Sequence, residues 1–334
     1  MTLSARTRAD VTAALREIQA PIRDRLDRVP SEIWRIAAAD LPLIEEINEH
    51  LMGMKGKMFR PTLVLLASAS DERPEERAIA LAATLEVLHL ATLVHDDAVD
   101  HSVLRRGMPT INALFSHQVS VIMGDFLYAR ALTELVRLSD WDVARVFAEA
   151  STAMTLGEMR QLGALDALAF SEDDYYALIR AKTASLFTAA CELGALSGAV
   201  RHRAALATYG GKLGMAFQVV DDLIDYTEAP EVTGKPTGLD LKEHKVTLPL
   251  IAALRDMSGR DREAVSRLFE TAQPDDTQVS EVIALVEKHG GLDYARRRGE
   301  QFAREAEEAL GGLPETVARG SLYDAVGYVM ERRW

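Results

Sequence analysis

Leu85-Glu86-Val87-Leu88-His89-Leu90-Ala91-Thr92-Leu93-Val94-His95-Asp96-Asp97-Ala98-Val99-Asp100 is largely apolar for most of its length and then turns acidic. From Ala80 to Leu93 the apolar residues recur three and four apart, the period of a helix, and Ala and Leu are strong helix formers. The first and last Asp of the acidic end are four apart, so on a helix they share a face about 5–6 Å apart. Two carboxylates there repel each other, and a helix C-terminus carries partial negative charge that disfavours them further. A hard divalent cation relieves both costs: Mg²⁺ is held by one or two carboxylates and completes its shell with water and phosphate oxygens.

One such cluster alone reads better as a solvated helix end. A second, Asp221-Asp222-Leu223-Ile224-Asp225, repeats the spacing after another apolar run, Leu213 to Val220. Two identical acidic ends on two apolar helices favour metal binding over chance.

Outward from these stretches the chain reads as helix after helix, at about 8–29 (bent at Pro21), 43–52, 61–70, 74–99, 110–138, 141–162, 172–196, 203–226, 247–257, 262–271, 277–289, 291–310 and 314–332. Asp140 before Trp141, and Ser171 with Asp174 three residues on, are start signals. Gly210-Gly211 and Gly214 permit close packing of the 203–226 helix. No window of alternating β-branched residues competes. The expected fold is all-α, a single domain over 1–334 whose central helices are buried all round. Its extended irregular stretch, 227–245, is rich in Gly, Pro and charge, and a loop that long in a compact helical domain is usually functional.

Composition narrows the function. Of 334 residues, 48% are hydrophobic, enough for a sizeable core. Lys and Arg total 38 against 51 Asp and Glu, a formal charge of −13, which repels nucleic acid and anionic lipid. An anionic ligand therefore needs a local basic cluster or a bound metal. Cys191 stands alone in an apolar stretch, a buried small hydrophobe in a reducing, cytoplasmic setting. No signal peptide is visible after Met1, and Glu192 interrupts the nearest approach to a membrane span at 183–200, so no stable membrane insertion is expected.

Basic residues stand where a diphosphate needs them: Arg105 and Arg106 after the first acidic cluster, Lys235 and Lys245 after the second, and Lys57 and Arg60 upstream. Together they outline two anion sites, one bridged by metals and one purely basic, for which the fork of Arg is well shaped.

With Gly56-Lys57-x-x-Arg60-Pro61, Glu86-x-x-His89, Gly124-Asp125, Lys182-Thr183, Gln218 ahead of the second acidic cluster, Gly234-Lys235 and Lys245-x-Thr247-Leu-Pro249 in order, the chain resembles the trans-polyprenyl diphosphate synthases. The resemblance implies a prenyltransferase that condenses isopentenyl diphosphate with an allylic diphosphate, acting as a homodimer with Mg²⁺, three ions per site. It implies that Asp96, Asp100 and Asp221 ligate the metal, with Asp97, Asp222 and Asp225 as additional or water-mediated ligands. Arg105, Lys182, Lys235 and Lys245 would hold the allylic diphosphate, and Lys57, Arg60, His89 and Arg106 that of isopentenyl diphosphate. Thr183 and Gln218 would turn their dipoles toward the developing cation. Without the pattern, His89 would pass for a core histidine.

Two departures stand out: His244 where the family commonly has Gly, and Met58-Phe59 where a more basic spelling is common. The basic tail Arg332-Arg333-Trp334 is like that of relatives that close a lid. Ala91 and Thr92, about one turn before Asp96, are small where short-product relatives carry bulky aromatics. This points to a long product, with Leu88, Met123 or Phe147 as the alternative floor and a farnesyl- or geranylgeranyl-sized product as the alternative outcome. A non-catalytic binding subunit would have eroded acidic clusters, and both are intact. A terpene cyclase would not need Lys57, Arg60, His89 and Arg106.

Overall fold

The computed structural model describes residues 8–54, 56–71, 74–105, 107–163, 167–228 and 237–332, with the side chains of 8–11, 162, 163 and 167 left aside. Arg106 and Lys235 lie outside these residues. The helices are α1 (Arg8–Gln19), α2 (Arg23–Leu26), α3 (Val29–Ala37), α4 (Pro42–Gly53), α5 (Phe59–Ser68), α6 (Arg77–Val99), α7 (Ile111–Leu114), α8 (His117–Leu138), α9 (Trp141–Gly163), α10 (Glu172–Ile179), α11 (Ser185–Leu196), α12 (Arg203–Thr227), α13 (Leu239–Lys242), α14 (Leu248–Asp256), α15 (Gly259–Glu270), α16 (Asp276–Lys288), α17 (Gly291–Ala309) and α18 (Val317–Glu331). The all-α expectation holds, with one small exception: β1 (Leu104–Arg105) and β2 (Met108–Pro109) pair antiparallel. Gly107 supplies the positive φ, +77°, that this tight hairpin needs.

At the centre, α11 packs against α5, α9 and α12, while α12 also packs against α17 and α6 lies among α3, α5 and α8. Along α11, Leu186, Phe187, Ala189, Ala190, Cys191, Leu193 and Ala195 are all buried, as a helix apolar all round must be. Burial pushes the Cys191 thiol up, which keeps it an inert core residue. Among the described residues α6 alone is long and apolar enough to cross a membrane, but its apolar window is mostly buried in the protein core.

Start signals act as read. Asp140 accepts from the backbone N–H of Asp142 and Val143, and Ser171 forms a reciprocal capping box with Asp174. Three boundaries differ. The 8–29 helix ends at Gln19, and a separate helix spans Val29–Ala37 with Pro30 in its first turn, where the missing N–H is harmless. The 110–138 stretch breaks at Ser116, which caps α8 by accepting from Val119 N–H. The 172–196 stretch is continuous but contains a π-helical turn at Arg180–Ala184, the turn that carries Lys182 and Thr183. Such turns recur at functional sites because the widened spiral re-aims side chains.

Glycines let neighbouring helices close on this turn. A Cβ at Gly214 of α12 would lie 2.6 Å from Ala184 Cα, and one at Gly157 of α9 would lie 3.1 Å from Lys182 N. A Cβ at Gly124 would strike the His95 ring at 2.3 Å, so α8 passes α6 closely just before the first acidic cluster.

Candidate active site

Asp96 is the fourth residue from the end of α6, and Asp100 is its C-cap, whose N–H donates to Asp96 O. Burial first, and then Glu158 of α9, push the Asp96 carboxyl up to about 6, while Lys182 and Arg105 pull the other way. Glu158 was not foreseen in the sequence. It receives Lys182 Nζ at 2.6 Å, and Gln161 Oε1 receives the same ammonium at 3.2 Å.

Asp97 points elsewhere. It is buried, and Arg105 Nε donates to both its oxygens at 2.8 Å. A second guanidinium nitrogen adds a contact at 2.8 Å. The hairpin after α6 thus folds its arginine back onto the middle Asp of the cluster.

The second cluster divides in the same way. Asp222 is buried, with Oδ2 receiving the Tyr175 hydroxyl at 2.5 Å and Oδ1 receiving Gln218 Nε2 at 2.8 Å. Asp225 accepts from the backbone N–H of Leu239 and Asp240 at 3.1 Å, capping α13. Asp221 is half-exposed and lies 3.1 Å from a guanidinium nitrogen of Arg332. That arginine is itself buried, donates to Phe217 O at 2.6 Å and stacks 3.5 Å from the Phe217 ring centroid. Arg332, the first residue of the basic tail, therefore lies against the second cluster.

Lys245 joins the two clusters. Burial pushes its ammonium down, but Glu243 (2.6 Å away), Asp240 and Asp100 more than offset this and raise it. Asp100 closes the first cluster and Asp240 abuts the second, so a single side chain lies in the field of both. Asp240, also unforeseen, is pushed up to about 7 by burial and by Asp225.

The basic pocket expected upstream is assembled at the start of α5. Met58 adopts a left-handed conformation (φ 49°) at the helix N-cap. Gln19 of α1 donates to Lys57 O at 3.2 Å and to Thr62 at 3.0 Å, bracing the turn. Arg60 donates to His89 Nε2 at 2.9 Å, which fixes that nitrogen as an acceptor and the imidazole proton on Nδ1 if the ring is neutral. Arg60 also lies over the Phe187 ring, and Lys57 over Tyr328.

Thr183 donates to Gln218 Oε1 at 2.7 Å, so the two residues expected beside the cation are in direct contact. Ala91 is buried, and Thr92 turns its hydroxyl to His89 O. Neither lines the apolar cavity of about 610 Å³ between α6, α8 and α9; that wall comes from Leu88, Tyr128, Ala131, Leu135, Phe147 and Ala148, among others. Leu88 sits eight residues before Asp96, about 12 Å down the helix.

Among the described residues no three His, Cys, Asp or Glu side chains converge into a closed cage. The donor set fits a divalent cation that takes only part of its shell from protein: Asp96 and Asp100 are on one helix face, and the buried charge of Asp96 is aggravated by Glu158.

The family profile described as Polyprenyl synthetase matches residues 41–286. The chain belongs to the polyprenyl synthetase family. It is a prenyltransferase. It is 38% identical to the all-trans-nonaprenyl-diphosphate synthase (geranyl-diphosphate specific) of Rhodobacter capsulatus over 95% of this chain and 97% of that one. A decaprenyl diphosphate synthase structure from the same organism superposes with a TM-score of 0.90 at 36% identity, covering 96% of this chain and 99% of the other. A Caulobacter crescentus polyprenyl synthase, solved with calcium and isoprenyl diphosphate, also gives 0.90, at 33% identity over 96% and 98%. Family structures have thus been solved with a divalent cation and isoprenyl diphosphate together.

Glu158 follows Gly157 and Asp240 stands two residues after Gly238, but neither repeats the spacing of the acidic clusters. Tyr175 left no trace, because its partner lies 47 residues away, and Arg332 showed only as part of the basic tail.

Proposed function

We propose that this chain condenses isopentenyl diphosphate head-to-tail with an allylic diphosphate and repeats the step to a long all-trans product. The observation that carries the reading is that Asp100 of the first cluster and Asp240 beside the second both act on the Lys245 ammonium. Asp96, Asp100 and Asp221 hold Mg²⁺, for their carboxylates are not taken up by the backbone or a buried hydroxyl as those of Asp222 and Asp225 are. When bound, the metal supplies Lewis-acid stabilisation of the departing diphosphate.

The chain's own groups do the rest. Lys182 and Lys245, with Arg105 and Lys235, share the leaving charge. Lys57, Arg60 and Arg106 hold isopentenyl diphosphate, and His89 orients Arg60 through their hydrogen bond. Holding the two substrates in register supplies much of the rate enhancement, since the attacking double bond needs no further activation. Thr183 and Gln218 face the developing cation with oxygen dipoles. The released diphosphate is the base for the final proton. The growing tail runs along α6 past Leu88 into the cavity between α8 and α9, and the nonaprenyl and decaprenyl products named for the relatives support a long chain.

The protein acts as a homodimer. Val136 and Trp141 are 78% and 89% exposed on α8 and α9, and Ile122, Leu132, Leu156 and Met159 are exposed along the same two helices. A second copy would cover these residues.

The test is incubation with labelled isopentenyl diphosphate, geranyl or farnesyl diphosphate and Mg²⁺, with sizing of the products. Metal-dependent incorporation into long chains is expected. No consumption of isopentenyl diphosphate would overturn the activity, and products stopping at farnesyl or geranylgeranyl size would overturn the chain length alone.

A further inference from the structure

Four side chains from three elements form one chain of hydrogen bonds that converges on Asp222. Tyr175 of α10 donates to Asp222, Gln218 of α12 donates to the other oxygen of Asp222, and Thr183 of the π-helical turn donates to Gln218. The order of donors follows from what each group can do. Asp222 accepts on both oxygens, one from Tyr175 and one from Gln218, so the end of the Gln218 amide facing it is the NH₂. The amide oxygen is then left for Thr183, which has to spend its one hydroxyl proton there. What the part-buried Thr183 hydroxyl still offers is lone pairs, and lone pairs stabilise a neighbouring carbocation.

The whole polarity therefore hangs on Asp222 staying where it is. It is buried beside Asp221 and Asp240, both of which repel it. Two donors hold it, and only Tyr175 lies outside the sequence pattern that carries the chemistry. The Tyr175 ring also packs edge-on against Tyr176, so its removal as a side chain and the loss of its hydroxyl are separable.

We propose that Tyr175 is a positioning residue for prenyl transfer: by clamping Asp222 it sets the orientation of the Gln218 amide and so the polarity with which Thr183 faces the allylic carbon. This rests on the prenyl-transfer reading above. It assigns Asp222 to orientation, with metal binding left to Asp96, Asp100 and Asp221.

Tyr175→Phe keeps the ring and deletes the clamp. In the purified, Mg²⁺-loaded enzyme, kcat should fall about 10- to 100-fold, the range for a group that orients a functional one. KM for both substrates should stay within about threefold, because ground-state binding is untouched. The Mg²⁺ concentration for half-maximal rate should not change. In a Thr183→Val background, Tyr175→Phe should cost almost nothing more, since the two then act on the same missing hydroxyl. Should Tyr175→Phe not fold, Asp222→Asn serves: it leaves one acceptor oxygen where two donors stood, so the Gln218 amide is no longer held in one sense, and it should show the same kcat loss, the same unmoved Mg²⁺ dependence and the same non-additivity with Thr183→Val.

Unchanged kcat, a loss appearing in KM or Mg²⁺ dependence, or full additivity with Thr183→Val would each overturn the inference while leaving an active wild type intact. A wild-type chain that consumes no isopentenyl diphosphate overturns the underlying reading and the inference with it.

Discussion

Replacing Asp96 with Asn should make the metal-free protein more stable while abolishing prenyl transfer. Asp96 holds its proton more tightly folded than unfolded, with a carboxyl raised from 3.8 to about 6 by burial and by Glu158. Folding then takes up protons between about pH 4 and 6, so stability falls as pH rises through that window and the full cost is present above it. A displacement of this size corresponds to roughly 3 kcal/mol, or about 2 kcal/mol once the partial exposure of the group is discounted. With 334 residues and an unfolding entropy of about 2 cal/mol/K per residue, this amounts to a Tm gap of about 3 °C. The assay is thermal melting in EDTA at fixed protein concentration. Asp96→Asn should melt higher than wild type at pH 7.5, and the gap should shrink to about half at pH 5 as the wild-type carboxyl protonates. Mg²⁺ with inorganic diphosphate should raise the wild-type Tm and leave the variant's unmoved. An Asn variant no more stable than wild type at pH 7.5 would refute the claim that the chain carries an uncompensated charge there.

Gly214→Ala puts a methyl 2.6 Å from Ala184 Cα, so it should destabilise the protein by about 1–3 kcal/mol. It should also lower kcat by displacing Lys182 and Thr183; a normal rate would show that the π-helical turn need not be held so tightly. Ala148→Phe, which fills the cavity between α8 and α9, should shift the product distribution to shorter chains on sizing by chromatography, and an unchanged distribution would remove this cavity from the tail's path. Val136→Glu with Trp141→Glu, both at exposed positions, should convert a dimer to a monomer in sedimentation without lowering the melting of the isolated fold; a persistent dimer would place the interface elsewhere.

The fold and the two acidic helix ends were legible because both depend on local pattern. Apolar residues at helical spacing fix α6 and α12, and two Asp-x-x-x-Asp pairs mark where those helices meet charge. What was not legible depends on contacts across the chain. The separate helix Val29–Ala37 hides behind Pro30, which reads as a breaker until its place in the first turn is known. The π-helical turn is accompanied by Gly157 and Gly214 letting α9 and α12 press on it, a tertiary condition with no local signature. Within each Asp cluster the sequence offers identical residues, yet Asp97 is taken by Arg105, Asp222 by Tyr175 and Asp225 by the turn into α13. Spacing gives the face of the helix and not the occupant of each carboxylate.

These pairings also bear on how the allylic site accepts its substrate. Lys182 is held by Glu158, Arg105 by Asp97, Lys245 by Glu243, and Arg332 by Asp221. Every described cation assigned to the allylic diphosphate thus has a carboxylate of the chain as its partner, and binding exchanges one ion pair for another. Such an exchange yields little net Coulomb energy, because the charges gained by the ligand are taken from internal partners. The imbalance lies with the carboxylates: the diphosphate adds negative charge beside Asp96 and Asp240, whose charged forms burial already disfavours. Only added positive charge closes that account, so metal and allylic diphosphate should bind with strong mutual dependence, each raising the affinity for the other by the same factor. Titration of the inactive analogue of the allylic substrate at rising Mg²⁺ would measure it, and an affinity independent of the metal would contradict the argument.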